Sequence, residues 1–493
     1  MSGKTLKIGL YSAGLKAYWP QFTGLRKRLE GYNAFVEKKL SQFGQVINFG
    51  MVDNAQTGNQ AAEYFQSRNV DIIFLHSATY FTSDSVLPIH QICKAPVVVL
   101  NLQPSPQINY EETDTQEWLS QCGACPVPEV SNAFQRAGIP FYCVNGCLGL
   151  EETPGVAMSD ERTSQMPSAI RAWQEIGDWC RAAHVKASLQ SARFGYLGGN
   201  YSGMLDMYSD FTMMSAQTGI HLEILEMCDL NARFEKVTEQ QITDKLQEIE
   251  DMFEMPQNDS ADDRVFKPTE EQLRWSAKVA AAQAQMVEDY KLDALSYYYH
   301  SIDGNPYEEL QGGFIVGHSL LTANHVPCAG EADLKTALAM KICDLLDAGG
   351  SFAEIVVTDY LNQTILIGHD GPFHIKISNR RPILRGMGVY HGKRGSGISV
   401  ECKVMAGPVT TLNVTQTRDG KLKFIISEAE ATDGTIMTIG NTQTHIRFKY
   451  DVDTYMNKWF AEAPTHHCAL AVGHIAPVLE KVGILMDIPT VVL

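Results

Sequence analysis

Two uninterrupted apolar runs, VDIIFLHSA at residues 70–78 and APVVVLNLQ at residues 95–103, constrain the fold more than any other feature of the chain. A strand that is apolar at successive positions must be covered on both faces, as a central strand of a parallel sheet is. The runs sit in a regular alternation. KTLKIGLYSA and GQVINFGMV read as strands, and LRKRLEGYNAFVEKKLSQF and NQAAEYFQSR as helices. This is the βαβ rhythm of a doubly wound sheet. Its strands end in small or polar residues, Ser12-Ala13-Gly14, His76-Ser77-Ala78 and Asn101-Leu102-Gln103. Ligands of such sheets sit beyond the carboxyl ends of the strands.

With 493 residues the chain is too long for one core. After the helical stretch SQMPSAIRAWQEIGDWCRAAHVKASLQ the alternation restarts with SARFGYLGGNYSGMLDM and HLEILEM, and it runs on to the strand DALSYYYH. From about residue 350 the texture changes to β runs separated by Gly, Asn and Asp turns, among them QTILIGHD, GISVECKVMAGPVTTLNVTQT and KLKFIISEAEA. The expected fold class is α/β, with two consecutive doubly wound α/β domains (1–175 and 176–328) followed by a mainly antiparallel, barrel-like domain (329–493).

A formal charge of -17, from 57 acidic and 40 basic residues, argues against nucleic-acid and anionic-membrane partners, which are bound through excess Lys and Arg. The opening MSGKTLKIGLYSAGL enters a strand directly, and no apolar run is long enough to span a bilayer. Eleven cysteines without small-scaffold spacing fit a reducing cytosol, so a cytoplasmic location is expected. Cys122, Cys125, Cys143 and Cys147 can be written as a four-cysteine zinc site, but small buried thiols are the preferred reading. GYLGGNYSG at 195–203 lacks the order of a phosphate-binding loop and reads as a tight loop near a ligand or a neighbouring subunit.

The candidate chemistry lies in the last third. Glu331 stands at the mouth of a helix with Asp333 in its first turn, a placement that capping and the helix dipole also favour. Asp359 closes one apolar strand, and His369-Asp370-Gly371-Pro372 closes the next. APTHHCALAVGHIAPVLEKVG reads as a helix capped by Thr465, with Gly483 beyond its end. On a helix His466 and His467 point about 100° apart, so one can ligate while the other assists; His474 reads as a packing position. The helix N-terminus would keep a histidine neutral and able to bind metal. A mixed set of carboxylate and imidazole without thiolate suits Mn²⁺, Co²⁺, Fe²⁺ or Zn²⁺.

The segment from ALSYYYHSIDGNPYEELQGG through AGEADLKTALAMKI closely resembles the junction before the last domain of L-arabinose isomerases, LIGHDGPFHI their G-S-H segment, and APTHHCALAVGH their late His-His doublet. The resemblance covers residues 290–375 and 462–475, and the opening GLYSAGLKAYWPQFTGL is more similar to the broader arabinose/fucose isomerase superfamily. It implies an aldose–ketose isomerase acting on a free pentose, hexose or deoxy-sugar. It also implies a homo-oligomer, typically a hexamer, and one divalent cation, most often Mn²⁺, in the last domain.

Carried over by position, the resemblance makes Glu331 and Asp359 the acid/base pair and Glu331, Asp359, His369 and His467 the metal ligands, with His466 a substrate contact. The family's second glutamate falls on Thr358, which is why Asp359 takes that role. If Asn362-Gln363 were a tight turn, Val356 would lie opposite His369 and Thr358 would share its face; a bulge or a longer loop would bring Asp359 round. Sugar specificity is expected from His300 and from the loops 11–21, with Trp19 and Gln21, 103–107, 122–129 and 198–206. Two rivals stand beside the isomerase: a sugar-binding protein of the same fold without chemistry, and a metal-dependent aldolase or hydrolase.

Overall fold

The computed structural model describes residues 3–257, 260, 262–300, 305–387 and 397–493. The chain divides into two compact units, Lys4–Ala187 and one built on Ser188–Leu493. The architecture is mixed α/β, with parallel sheets and a closed antiparallel β-barrel. Among the described residues no helix is long and apolar enough to cross a membrane.

The first unit carries five parallel strands, β1 (Lys7–Ala13), β2 (Gln45–Val52), β3 (Ile72–Ser77), β4 (Val97–Gln103) and β5 (Phe141–Cys147), in the order β2-β1-β3-β4-β5. The two apolar runs supply β3 and β4, and all six residues of β3 are buried. A polar network is buried in this unit. The Arg28 guanidinium is held between the carboxylates of Glu117 (2.6 Å) and Glu161, and the Tyr32 hydroxyl donates to Glu161 at 2.7 Å. The expected boundary at 175/176 falls inside the continuous helix Pro167–Leu189, and the division comes at its end.

The second unit opens with β6 (Arg193–Gly198), β7 (His221–Leu225), a two-residue β8 (Val265–Phe266), β9 (Ala294–Tyr298) and β10 (Cys328–Ala329). Four of these form a parallel sheet in the order β10-β9-β6-β7. There follow β11 (Gly349–Asp359), β12 (Thr364–His369), β13 (Ile383–Met387), β14 (Ile398–Glu401), β15 (Gly407–Gln416), β16 (Leu422–Thr432), β17 (Thr442–Phe448), β18 (His467–Val472) and β19 (Thr490–Val492). The order β15-β18-β11-β12-β17-β16 is closed by the pairing of β15 with β16, which makes a six-stranded antiparallel barrel; β19 adds to β16 in parallel, and β8, β13 and β14 form a small separate sheet.

One apolar cluster runs from the helical residues Ile242, Ile249, Ile315 and Leu320 into the barrel residues Ile367, Val409, Ile425, Ile446 and Leu470. The expected boundary at 328/329 therefore falls within a shared core. The helix Leu334–Leu345 is buried at all twelve positions. Its two lysines are paired there: Lys335 donates to the Tyr208 carbonyl (3.2 Å) and the Ser209 hydroxyl (3.0 Å), and Lys341 to Asp344 (2.9 Å).

Candidate active site

The parallel sheet of the second unit points its carboxyl ends at the barrel's His369 and His467 end, and a cavity of about 790 Å³ opens between them. Its wall is supplied by Gly198–Ser202 beyond β6, Tyr297–His300 at the end of β9, Gly330-Glu331 after β10, and Glu354, His369 and His466 from the barrel side. That volume suits a small ligand. Tyr201 and Tyr298 stack in the wall with centroids 4.2 Å apart. No Lys or Arg lines the cavity among the described residues.

Glu331 is presented by an unusual backbone. Both Glu331 (φ 57°) and Ala332 (φ 59°) are left-handed, although neither is glycine. Each such residue costs about 1–2 kcal/mol, which surrounding structure must hold in place. Here the Ala332 amide donates to the Tyr297 carbonyl (2.9 Å), and the Asp333 amide closes the turn on Gly330 (3.0 Å). Asp333 then caps the buried helix by accepting from the Thr336 amide at 2.9 Å.

The same Asp333 carboxylate meets His467 Nδ1 at 3.0 Å, with both side chains fully buried. A carboxylate at Nδ1 places the ring proton there and leaves Nε2 as a lone pair. Nε2 of His467 is buried without a hydrogen-bond partner and lies 3.5 Å from Glu331 Oε2, which is itself a buried oxygen without one. Burial lowers the His467 pKa against the pull of Asp333, so the ring is neutral. For Asp333 burial acts upward, but His467, Lys335 and Thr336 outweigh it and hold the carboxyl at about 2.

His369 ends β12, where its amide and carbonyl are both fixed by the Thr442 hydroxyl (2.9 and 3.0 Å). The rings of His369 and His467 lie 5.1 Å apart, both against Phe352. Two sets of side chains could each hold one cation, with ligand atoms within 4.8 Å of one another: Glu331, His466 and His467, and Glu354, His369 and His467. His467 belongs to both. Two carboxylates and neutral imidazole, with orphaned Glu331 Oε2 and His467 Nε2 at their centre, fit a divalent cation of the Mn²⁺-to-Zn²⁺ series.

Glu354, not Asp359, is the second carboxylate of this cluster. The β11–β12 pairing sets Glu354 opposite Gly368 and, on the other side, opposite His467 of β18. Asp359 pairs with Thr364 at the far end of the hairpin and accepts from the Asn362 amide and side chain (2.9 and 2.7 Å). A bulge between Ile355 and Val357 and a four-residue loop, Tyr360 to Gln363, are both present. They nonetheless leave Asp359 five residues along the strand from Glu354, roughly 16 Å at the usual rise. Neither Asp359 nor Thr358 lines the cavity.

The histidine doublet is the start of a strand, not of a helix: β18 begins at His467, and the helix begins only at Ala476. The Asn413 side-chain amide fixes this start by donating to the Thr465 and His467 carbonyls (2.8 and 2.6 Å). The division into one ligand and one helper survives on different grounds. His467 turns inward, while His466 lies half-exposed in the cavity wall between Asp206 (Nδ1 to Oδ2, 2.6 Å) and Glu331 (Nε2 to Oε2, 3.6 Å). Burial acts downward on the His466 pKa, but Glu331 and Asp206 outweigh it and raise it to about 9, so this ring is a cation at neutral pH. Asp206 ends the 198–206 loop expected to set sugar specificity, and its pairing with His466 is what the sequence did not show.

His300 does line the cavity, 3.3 Å from Glu308. Trp19 and Gln21 belong to the first unit and are not among the lining residues: Trp19 donates to Asp53 (2.7 Å) and Gln21 to its own turn at Ala17 (2.6 Å). His474 approaches the Ala429 carbonyl (3.2 Å), away from the cluster. The four cysteines form no zinc cluster among the described residues. Cys147 is buried, but Cys125 and Cys143 are exposed, against the expectation of buried thiols.

No family model and no curated protein matches the chain. Solved structures similar to it include a periplasmic solute-binding protein of an ABC transporter from Actinobacillus succinogenes 130z with bound D-allose, at 11% identity over 66% of this chain and 77% of that one (TM-score 0.17). Another is the substrate-binding protein CD0873 from Clostridium difficile, at 9% identity over 71% and 79% (TM-score 0.15). Scores this low carry no argument about function.

Proposed function

We propose that the protein is a metal-dependent aldose–ketose isomerase acting on a free, uncharged sugar. The observation that carries this reading is the convergence of Glu331, Glu354 and His369 on one cavity wall, with the buried His467 behind it shared by both carboxylates' ligand sets. Glu331, Glu354, His369 and His467 would hold the cation, Mn²⁺ first, with Co²⁺, Fe²⁺ or Zn²⁺ as alternatives. When bound, such a cation polarises the sugar carbonyl and stabilises the oxyanion that develops on it.

The chain's own residues supply the rest. Exchange between aldose and ketose removes a proton from one carbon and returns one to its neighbour, and Glu331 and Glu354 are the acid/base pair for that transfer. His466, held charged by Asp206 and Glu331, donates a hydrogen bond to a sugar hydroxyl. The stacked Tyr201 and Tyr298 offer a flat apolar face to the sugar's C–H groups. A cavity wall with five carboxylates (Glu226, Glu308, Glu331, Glu354 and Asp370) and no Lys or Arg among its described residues disfavours phosphorylated or acidic sugars.

The reading assumes that both parallel sheets are doubly wound and that the protein works as a homo-oligomer in the cytoplasm. The rival of a binding protein without chemistry drew its support from a missing second carboxylate, and Glu354 removes that support. The deciding experiment is a screen of neutral aldoses and ketoses, deoxy-sugars included, with Mn²⁺ added and ketose formation read out. Glu331→Gln and Glu354→Gln should each abolish turnover in a folded protein. Full activity in either variant, or a folded, metal-loaded protein that binds sugars without converting them, would refute the proposal.

A further inference from the structure

A second chemically distinctive cluster lies in the first unit, where the Cys122-Gly123-Ala124-Cys125 segment crosses the carboxyl edge of the parallel sheet. The strand order β2-β1-β3-β4-β5 reverses direction between β1 and β3, and in parallel sheets that reversal is where ligand chemistry collects. The cysteine segment is fastened there by β3 and the residues after it. The Ser77 hydroxyl donates to the Gly123 carbonyl, and the Thr79 hydroxyl to the Leu119 carbonyl at 2.7 Å. A Cβ at Gly123 would stand 2.4 Å from the Ser77 carbonyl oxygen, so only glycine allows this approach.

Both thiols sit on this one turn, three residues apart, and burial and then the neighbouring Cys125 raise the Cys122 pKa to about 11. Cys125 is exposed and Cys122 partly so. Tyr18, on the segment after β1, lies close enough for both thiols to oppose ionisation of its phenol. Tyr80, on the segment after β3, donates to Glu129 at 3.1 Å, and Cys125 lies near it too. The segment then enters the ten-residue helix Val127–Arg136.

We propose that Cys122 and Cys125 are a dithiol–disulfide couple that exchanges with small-molecule disulfides of the glutathione type. A C-x-x-C spacing beside a βαβ sheet is the arrangement in which such couples occur. The exposed Cys125 thiolate attacks one sulfur of the external disulfide, forming a mixed disulfide and releasing one thiolate. Cys122 then loses its proton and attacks Cys125 Sγ, closing the ring and expelling the second thiolate. The protein gives up two electrons and two protons, and the external disulfide becomes two thiols.

The test equilibrates the full-length protein with glutathione buffers of increasing oxidised fraction, traps free thiols by alkylation, and maps them by peptide mass spectrometry. Cys122 and Cys125 should lose alkylation together, in a peptide two hydrogens lighter, and regain it on reduction with dithiothreitol. The exposed Cys143 and Cys228 serve as controls and should show at most separate glutathione adducts. In Cys122→Ser, Cys125 should stop at the mixed disulfide. A wild-type protein in which Cys125 keeps its glutathione adduct while Cys122 stays alkylatable would overturn the proposal. So would a pair that remains fully alkylated under oxidised buffer.

Discussion

Replacing Asp333 by asparagine tests how the buried end of the site works. The substitution keeps size and shape, and its amide oxygen can still cap the helix at the Thr336 amide, now 2.9 Å from Oδ1. The group that changes is the one facing His467, where Oδ2 sits 3.0 Å from Nδ1 and 2.6 Å from the Thr336 hydroxyl. With the cap retained, an NH₂ occupies that place and donates to Nδ1. The ring proton is forced onto Nε2, the atom that must ligate. Loss of a carboxylate behind a ligating histidine costs about 10–100-fold in metal affinity, or roughly 1.4–2.8 kcal/mol. Titration of the metal-free protein with Mn²⁺, followed by calorimetry or by the rise in melting temperature, should show that loss.

Stability carries a second signature. Asp333 titrates at about 2 in the folded protein against an ordinary 3.8, a shift worth about 2 kcal/mol. Because the folded value is the lower one, this contribution is present in full above about pH 4 and is lost as pH falls towards 2. Urea unfolding of the metal-free proteins should therefore separate Asp333→Asn from wild type at pH 6 and bring the two closer at pH 3. An Asp333→Asn protein that binds Mn²⁺ within threefold of wild type would refute the tautomer argument.

Asp359→Asn should leave both Mn²⁺ affinity and any sugar turnover within twofold of wild type, measured beside Glu354→Gln, because its carboxylate only braces the hairpin turn at Asn362. Arg28→Met leaves the carboxylates of Glu117 and Glu161 facing each other, with side chains 2% and 0% exposed. It should cost about 3–5 kcal/mol in urea unfolding at neutral pH.

The sequence carried the parallel strands clearly, because β3 and β4 are short runs rich in Val and Ile set between helical patterns, as buried parallel strands are. It also carried Glu331, His369 and the importance of the doublet. It misled on the doublet's backbone for a physical reason. In HCALAV five of six positions are buried, so the run has no two-residue alternation to distinguish it from a helix. Thr465 looks like a helix cap, whereas its hydroxyl accepts from the Asn413 amide at 2.9 Å. Glu354 was hidden because a single acid in an apolar strand looks like a solvent-facing position. Its role follows from the register with β18, set more than one hundred residues later in the chain. Asp206 fell within the expected specificity loop 198–206, but its pairing with His466 was hidden for the same kind of reason, since the two meet across 260 residues of sequence.

The barrel's strand order has a consequence for how the protein is made. β18 is inserted between β11, at Gly349–Glu354, and β15, at Val409–Leu412, both of which leave the ribosome before it. Until residues 467–472 emerge, those two strands each present an unpaired row of amides and carbonyls, the kind of edge that recruits other chains. The strand that seals the barrel is also the one that delivers His467. A chain cut short before residue 467 would thus lose its ligand and its solubility in one event, and completion of the site coincides with removal of the last open edge.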